Sequence, residues 1–123
     1  VCDRLFDRFP RVRVASVENG SRFFGGLFDR LRIVSHKMVG WFSEDPVETL
    51  RRHVWVNPFW EDDVRELGSL AGTERVVFGS DWPHSEGLSE PLEYRVELDG
   101  FDDASRAAIM GGNAATLLTP GEF

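Results

Sequence analysis

Apolar positions along this chain switch between two periods, and the switches mark its elements. Near the start, Val1, Leu5 and Phe9 recur at i, i+4 and i+8 with Phe6 beside them, while Asp3, Arg4, Asp7 and Arg8 fall elsewhere. This is the stripe of an amphipathic helix, and Pro10 stops it because proline has no N–H to donate. Residues 12–17 (Val-Arg-Val-Ala-Ser-Val) then read as a short β-branched strand, apolar enough to be covered on both faces, ending at Glu18-Asn19-Gly20. Phe23, Phe24, Leu27, Phe28 and Leu31 return to helical spacing opposite Arg22, Asp29, Arg30 and Arg32. Gly25 and Gly26 weaken that helix by about 1 kcal/mol each relative to Ala.

Asp45-Pro46-Val47-Glu48 is a helix start: Asp45 can cap, Pro46 suits the first turn, and Glu48 can reach back to the cap. The helix over 46–52 leads into a second strand over 53–59, closed by Pro58. Glu61-Asp62-Asp63 puts negative charge at the start of a third helix, where the macrodipole favours it. Its buried stripe is Val64, Leu67, Leu70 and Ala71, and Gly72 ends it. Residues 75–80 form a third strand that empties into Asp81-Trp82-Pro83-His84 and a polar stretch. Asp102-Asp103 opens a helix carrying Ala107, Ala108, Ile109 and Met110, stopped by Gly111-Gly112, and Asn113 caps a last turn over 114–118. Strands alternating with helices predict an α/β fold with a parallel sheet and right-handed crossovers. Three strands leave two open edges, so the pattern fits either a very small α/β sandwich or the last part of a larger barrel.

Charge and length narrow the partners. The 123 residues carry 14 Lys and Arg against 21 Asp and Glu, a formal charge of −7 with no basic run, which argues against nucleic acid. No apolar run approaches the ~20 residues that span a membrane, and no signal sequence opens the chain. The lone cysteine, Cys2, excludes an internal disulfide framework and fits a reducing, cytoplasmic address. Cys2 also has no base near it in sequence, so it does not read as a nucleophile. A start at Val1, without Met and inside a helical pattern, reads as a chain entered midway: residues 1–123 are expected to be a single partial domain.

The strongest chemical signal is Asp81, an acid just beyond an apolar strand. In α/β folds several loops converge at that end of the sheet, and ligands bind there. A carboxylate so placed can ligate a divalent metal or take a proton from metal-bound water; Asp before Trp-Pro can equally cap a turn. Phosphate-binding loops, Gly-x-Gly-x-x-Gly, Gly-x-Ser-x-Gly and Cys-x-x-Cys are all missing from the sequence. A receiver-like signalling domain needs five strands and an early acidic pair, and three strands are too few.

Gly79-Ser80-Asp81-Trp82-Pro83-His84, about thirty residues ahead of Ile109-Met110-Gly111-Gly112-Asn113-Ala114-Ala115, resembles the C-terminal end of the amidohydrolase-related proteins. That branch of the amidohydrolase superfamily includes aminocarboxymuconate-semialdehyde decarboxylase and resorcylate-type decarboxylases. Residues 9–14 leading to Glu18-Asn19-Gly20, and residues 51–56, extend the likeness over nearly the whole chain in consistent order. The resemblance implies strands six to eight, with their helices, of a TIM-type (β/α)8 barrel. It implies a metal-dependent hydrolase or carboxy-lyase acting on a small, often aromatic or carboxylated substrate. The cofactor implied is one divalent ion, zinc first and manganese second, with Asp81 as its ligand or as the acid/base beside it.

The departures from the family count too. The family's His-x-His after strand one and its histidine after strand five have no counterpart, since the only histidines are His36, His53 and His84. The metal site is therefore incomplete in this chain, and the isolated chain is expected to be inactive. Where many relatives carry His-x-Gly after strand six, this chain has Glu18-Asn19-Gly20. Glu18 is then an acid/base or water orienter, or else a surface carboxylate or helix cap. His84 faces substrate or sits solvated in its loop; Asn57, Phe59 and Trp60 line a pocket or simply pack. His53, at a strand start, reads as structural and His36 as solvated. The expected partners are a small-molecule substrate and, for the full-length protein, further copies of itself. The rival reading is a non-catalytic α/β module that associates through open sheet edges or an apolar face.

Overall fold

In the computed structural model, residues 1–119 are described. The first helix is one short turn, α1 (Leu5–Arg8), because Arg4 before it lies at φ 57° and Phe9 after it is held out of the helical region by Pro10. Its buried residue is Phe6, not Leu5 or Phe9, which stay 41% and 49% exposed. Phe6 stacks on the His53 ring with centroids 4.3 Å apart.

Strand β1 (Val14–Ser16) pairs in parallel with β2 (Val54–Val56), Ala15 opposite Trp55. The buried strand is β2, with all three residues enclosed. By contrast β1 has, among the described residues, a neighbour on one side only, and Val14 and Val17 are 37% and 52% exposed, so the expected cover on both faces is not present. The third strand is reduced to one parallel bridge, Val56 to Val76, followed by Val77 N–H donating to the Val56 carbonyl at 2.9 Å. It goes no further as a strand because the residue opposite that would next donate to the Val77 carbonyl is Pro58, which has no N–H. The Asn57 side-chain amide donates there instead at 3.3 Å, while Phe78 N–H, on the other side, donates to the Ile109 carbonyl at 3.0 Å. The α/β class and the parallel pairing stand.

Helix α2 (Phe23–Lys37) runs past Leu31, and buries Phe24, Phe28 and Leu31 while Phe23 stays exposed. It packs on α3 (Pro46–His53) and α4 (Val64–Ala71). At the start of α3, Asp45 accepts from Val47 N–H at 2.8 Å with Pro46 in the first turn; Glu48 turns away from the cap to pair with Arg51 at 2.6 Å. Arg51 then crosses to the Leu70 carbonyl at 2.7 Å and lies over the Phe28 ring, tying α3 to both neighbours. His53 is buried, its Nδ1 2.9 Å from the Val12 carbonyl oxygen, a structural role as expected.

Two 3-10 turns, Thr73–Arg75 and Pro91–Val96, flank the polar stretch. Helix α5 (Asp103–Ala107), capped by Asp102 through Ser105 N–H at 2.7 Å, does not stop at the paired glycines. It widens into a π-turn over Ala108–Gly112 and continues as α6 (Asn113–Leu118). Asn113 is not a cap but a helical residue whose buried amide donates to the Val76 and Thr73 carbonyls at 2.7 and 2.8 Å. At the far end of α6, Arg13 donates to the carbonyls of Thr116, Leu117 and Thr119, a cation on the negative end of the helix. No helix among the described residues is long and apolar enough to cross a membrane.

Candidate functional site

The parallel pairing puts the C-terminal ends of β1, β2 and the 76–78 segment on one side, and the chain turns three times there. After β1, Glu18 takes a left-handed backbone at φ 58°; after the 76–78 segment, Asp81 does the same at φ 54°. A non-glycine residue held there costs about 1–3 kcal/mol, and such residues concentrate at functional sites. Of the three non-glycine residues with positive φ among the described residues, two therefore stand at this one rim.

A cavity of about 150 Å³ lies between these turns. Five residues singled out in the sequence line it: Glu18, Asn57, Phe59, Trp60 and Asp81. Phe59 completes the wall after β2, and the loop after Asp81 adds Glu86 and Leu88. That loop closes on itself, with Leu88 N–H donating to the Ser80 carbonyl at 2.9 Å and His84 N–H to the Asp81 carbonyl at 2.8 Å. His84 does not line the cavity. Its Nδ1 sits 3.3 Å from Asp81 Oδ2, so it reaches the cavity only through that carboxylate, whose side chain is 39% exposed. His36 and Cys2 are exposed and stand apart from this rim.

The sequence reading missed Glu86, Asp62 and Tyr94. Glu86 lies in a stretch without periodicity, where nothing signals direction. Asp62 is buried below Phe59, accepting from Phe59 N–H at 3.1 Å and Ser21 N–H at 2.7 Å. Tyr94 is buried against Phe78, with ring centroids 5.0 Å apart. Burial pushes its hydroxyl up to about 12, helped by the Glu97 and Asp62 carboxylates, and the hydroxyl has no hydrogen-bond partner among the described residues.

No group of three or more His, Cys, Asp or Glu among the described residues could hold a metal ion. Asp81 offers one carboxylate donor with His84 beside it, so these residues fit one ligand of a shared site and not a complete one.

What the fold and this rim define is an α/β protein with parallel strands whose polar groups meet at the strands' C-terminal ends. The amidohydrolase family model matches residues 1–119, and the chain belongs to that family. The amidohydrolase map2389c of Mycobacterium avium subsp. paratuberculosis K-10 superposes with a TM-score of 0.91 at 43% identity, over 94% of this chain and 30% of that one. At 22% identity, 5-carboxyvanillate decarboxylase LigW of Sphingomonas paucimobilis has a TM-score of 0.69, over 94% of this chain and 36% of its own. The dihydroxybenzoic acid decarboxylase of Polaromonas sp. JS666, with bound manganese and the inhibitor 2-nitroresorcinol, has 0.66 at 18% identity, covering 92% and 35%. The last two show a shared fold. The chain thus spans about a third of the length of each of these relatives.

Proposed function

We propose that this chain forms strands six to eight of a (β/α)8 barrel in a metal-dependent hydrolase or carboxy-lyase, and that its cavity is one side of the active site. One observation carries the reading: Glu18, Asn57, Trp60 and Asp81 come from three separate strand ends and line a single cavity. At about 150 Å³ that cavity is smaller than the roughly 300–1,000 Å³ of complete small-molecule sites, as a partial site would be. The exposed outer edge of β1 is where a preceding strand would add.

In this reading Asp81 holds one position on a divalent ion, zinc or manganese, with the other ligands supplied from outside residues 1–119. The bound ion supplies Lewis-acid polarisation of substrate or water. The chain's own residues do the rest. Asp81 accepts a proton at Oδ2 or hands it to His84 Nδ1, 3.3 Å away. Glu18 serves as a second acid/base across the cavity, Asn57 offers a neutral donor and acceptor, and Trp60 presents an aromatic wall. The decarboxylase neighbours act on small aromatic acids, which supports a small, aromatic or carboxylated substrate for this protein too.

The test compares metal content and turnover of the complete protein in wild type and Asp81→Ala. The reading expects loss of stoichiometric metal and at least a hundredfold fall in kcat/KM, and predicts that residues 1–123 alone turn nothing over. Unchanged metal and turnover in the variant remove Asp81 from the site.

A further inference from the structure

Asp62 is the single carboxylate buried among the described residues, and the proposed chemistry does not use it. Burying a carboxylate is costly unless its oxygens are fully hydrogen-bonded. Helix initiation does not explain it, because Asp63 already caps α4, accepting from Arg65 and Glu66 N–H at 2.9 Å each. Nor does a strong ion pair: the cation nearest it, Arg22, has Nε 3.7 Å from Oδ1 and a side chain 87% exposed.

What Asp62 holds is the spacing of two loops. Its Oδ2 accepts from Ser21 N–H at 2.7 Å, three residues after Glu18, and from Phe59 N–H at 3.1 Å, one residue before Trp60. Gly20, at φ 62°, is pressed into the same junction. A Cβ there would stand 2.9 Å from the Phe59 ring and 3.1 Å from Asp62 Oδ2. Only a residue without a side chain lets the two loops approach so closely.

We propose that Asp62 is a positioning residue: through the Ser21 and Phe59 amides its carboxylate sets the distance between the Glu18 and Trp60 walls of the cavity. This rests on the reading of that cavity as part of the active site. It says that the loop after β1 and the loop after β2 move as one body in the enzyme.

The test uses the complete enzyme as wild type, Asp62→Ala and Asp62→Asn, reading amide hydrogen exchange and steady-state turnover. Asn keeps an oxygen that accepts from both amides; Ala keeps none. In Asp62→Ala, exchange at Ser21 and Phe59 rises together by roughly 10- to 100-fold, the scale of a hydrogen bond to a charged group, while α3 keeps wild-type protection. kcat falls at least tenfold with KM changed by less than threefold, and Asp62→Asn recovers most of both losses. Unchanged exchange at either amide, a rise that spreads into α3, unchanged kcat, or an Asn variant as impaired as Ala overturns the proposal. Turnover indifferent to Asp81→Ala sinks the proposed function instead, and the exchange pattern still decides whether Asp62 ties the loops.

Discussion

The carboxamide of Asn57 fills the space beside the Cα of Gly79: a Cβ placed there would stand 3.0 Å from Nδ2 and 3.1 Å from Oδ1. The amide has little reason to leave, since Nδ2 also donates to the Val77 and Pro58 carbonyls at 3.3 Å each. Gly79→Ala therefore pushes the carboxamide by a few tenths of an ångström and destabilises the protein by about 1–2 kcal/mol through overpacking. Truncating the neighbour makes room, so in the Asn57→Ala background the same glycine substitution costs at least 1 kcal/mol less, a coupling of the size expected for residues in contact. A double-mutant cycle by urea unfolding reads this. Equal costs in both backgrounds show that the glycine serves something other than Asn57.

The loop that carries Asp81 depends on a second close approach. A Cβ at Gly87 would lie 2.6 Å from the carbonyl oxygens of both Ser80 and Asp81, and these are backbone atoms that cannot rotate aside. Gly87→Ala opens the loop, because Leu88 N–H can no longer reach the Ser80 carbonyl. The loop is surface-exposed, so global stability changes by no more than about 1 kcal/mol. Asp81 is displaced all the same, and in the complete enzyme kcat/KM falls at least tenfold. The exposed Ser85, changed to Ala, is the control and leaves turnover at wild type.

Local grammar made part of this architecture legible. Asp45-Pro46 marks the start of α3 because cap and first turn depend on adjacent residues only. Asp63 before Val64 and Asp102 before Asp103 are legible in the same way. The end of α2 is not: its last turn, with Ser35, His36 and Lys37, meets solvent and carries no apolar signal. Paired glycines read as a stop, yet Gly111 has open space where a Cβ would go and the helix widens through them, anchored by Asn113 on the 73–76 segment. The third strand is shorter than its apolar run because Pro58, which has no N–H, falls opposite the Val77 carbonyl, a pairing that the run itself does not reveal. At the site, Asp81, Glu18, Asn57 and Trp60 could be picked out because each follows an apolar run at a strand end. Asp62 could not, since its meaning lies in an amide 41 residues away.

Asn113 gives a sharper test of that anchor. Its buried amide donates to the Val76 and Thr73 carbonyls. Asn113→Ala strips the Val76 carbonyl of that donor while the Thr73 carbonyl keeps the Val76 N–H at 3.3 Å, at a cost of about 1–3 kcal/mol. Asn113→Asp is worse at neutral pH, because an ionised carboxylate offers no hydrogen and faces two carbonyl oxygens. That carboxyl has its pKa raised by folding, so the lost stability returns as pH falls and the acid regains a proton to donate. Urea midpoints at pH 7 and pH 4 separate the two variants: Asp below Ala at pH 7 and level with it or above at pH 4. An Asp variant that tracks Ala at both values rules out the hydrogen-bond account.

Tyr94 sets the alkaline limit. It is the only tyrosine in the chain, so phenolate absorbance reports on it alone. Folding raises its pKa from 10.0 to about 12, chiefly through burial. Below pH 10 both folded and unfolded chains hold the proton and the stability is complete. Between pH 10 and pH 12 the unfolded chain releases it while the folded one keeps it, so stability falls with rising pH, by about 3 kcal/mol in all. Absorbance titration is expected to place the folded phenol near 12 and the urea-unfolded one near 10. Tyr94→Phe removes a hydroxyl that has no partner among the described residues, so at pH 7 it changes stability by less than about 0.5 kcal/mol or raises it. It also abolishes the loss of stability between pH 10 and pH 12. A phenol that titrates near 10 in the folded protein, or a variant that unfolds with the wild-type slope in that window, would place the hydroxyl in contact with water and undo the assignment.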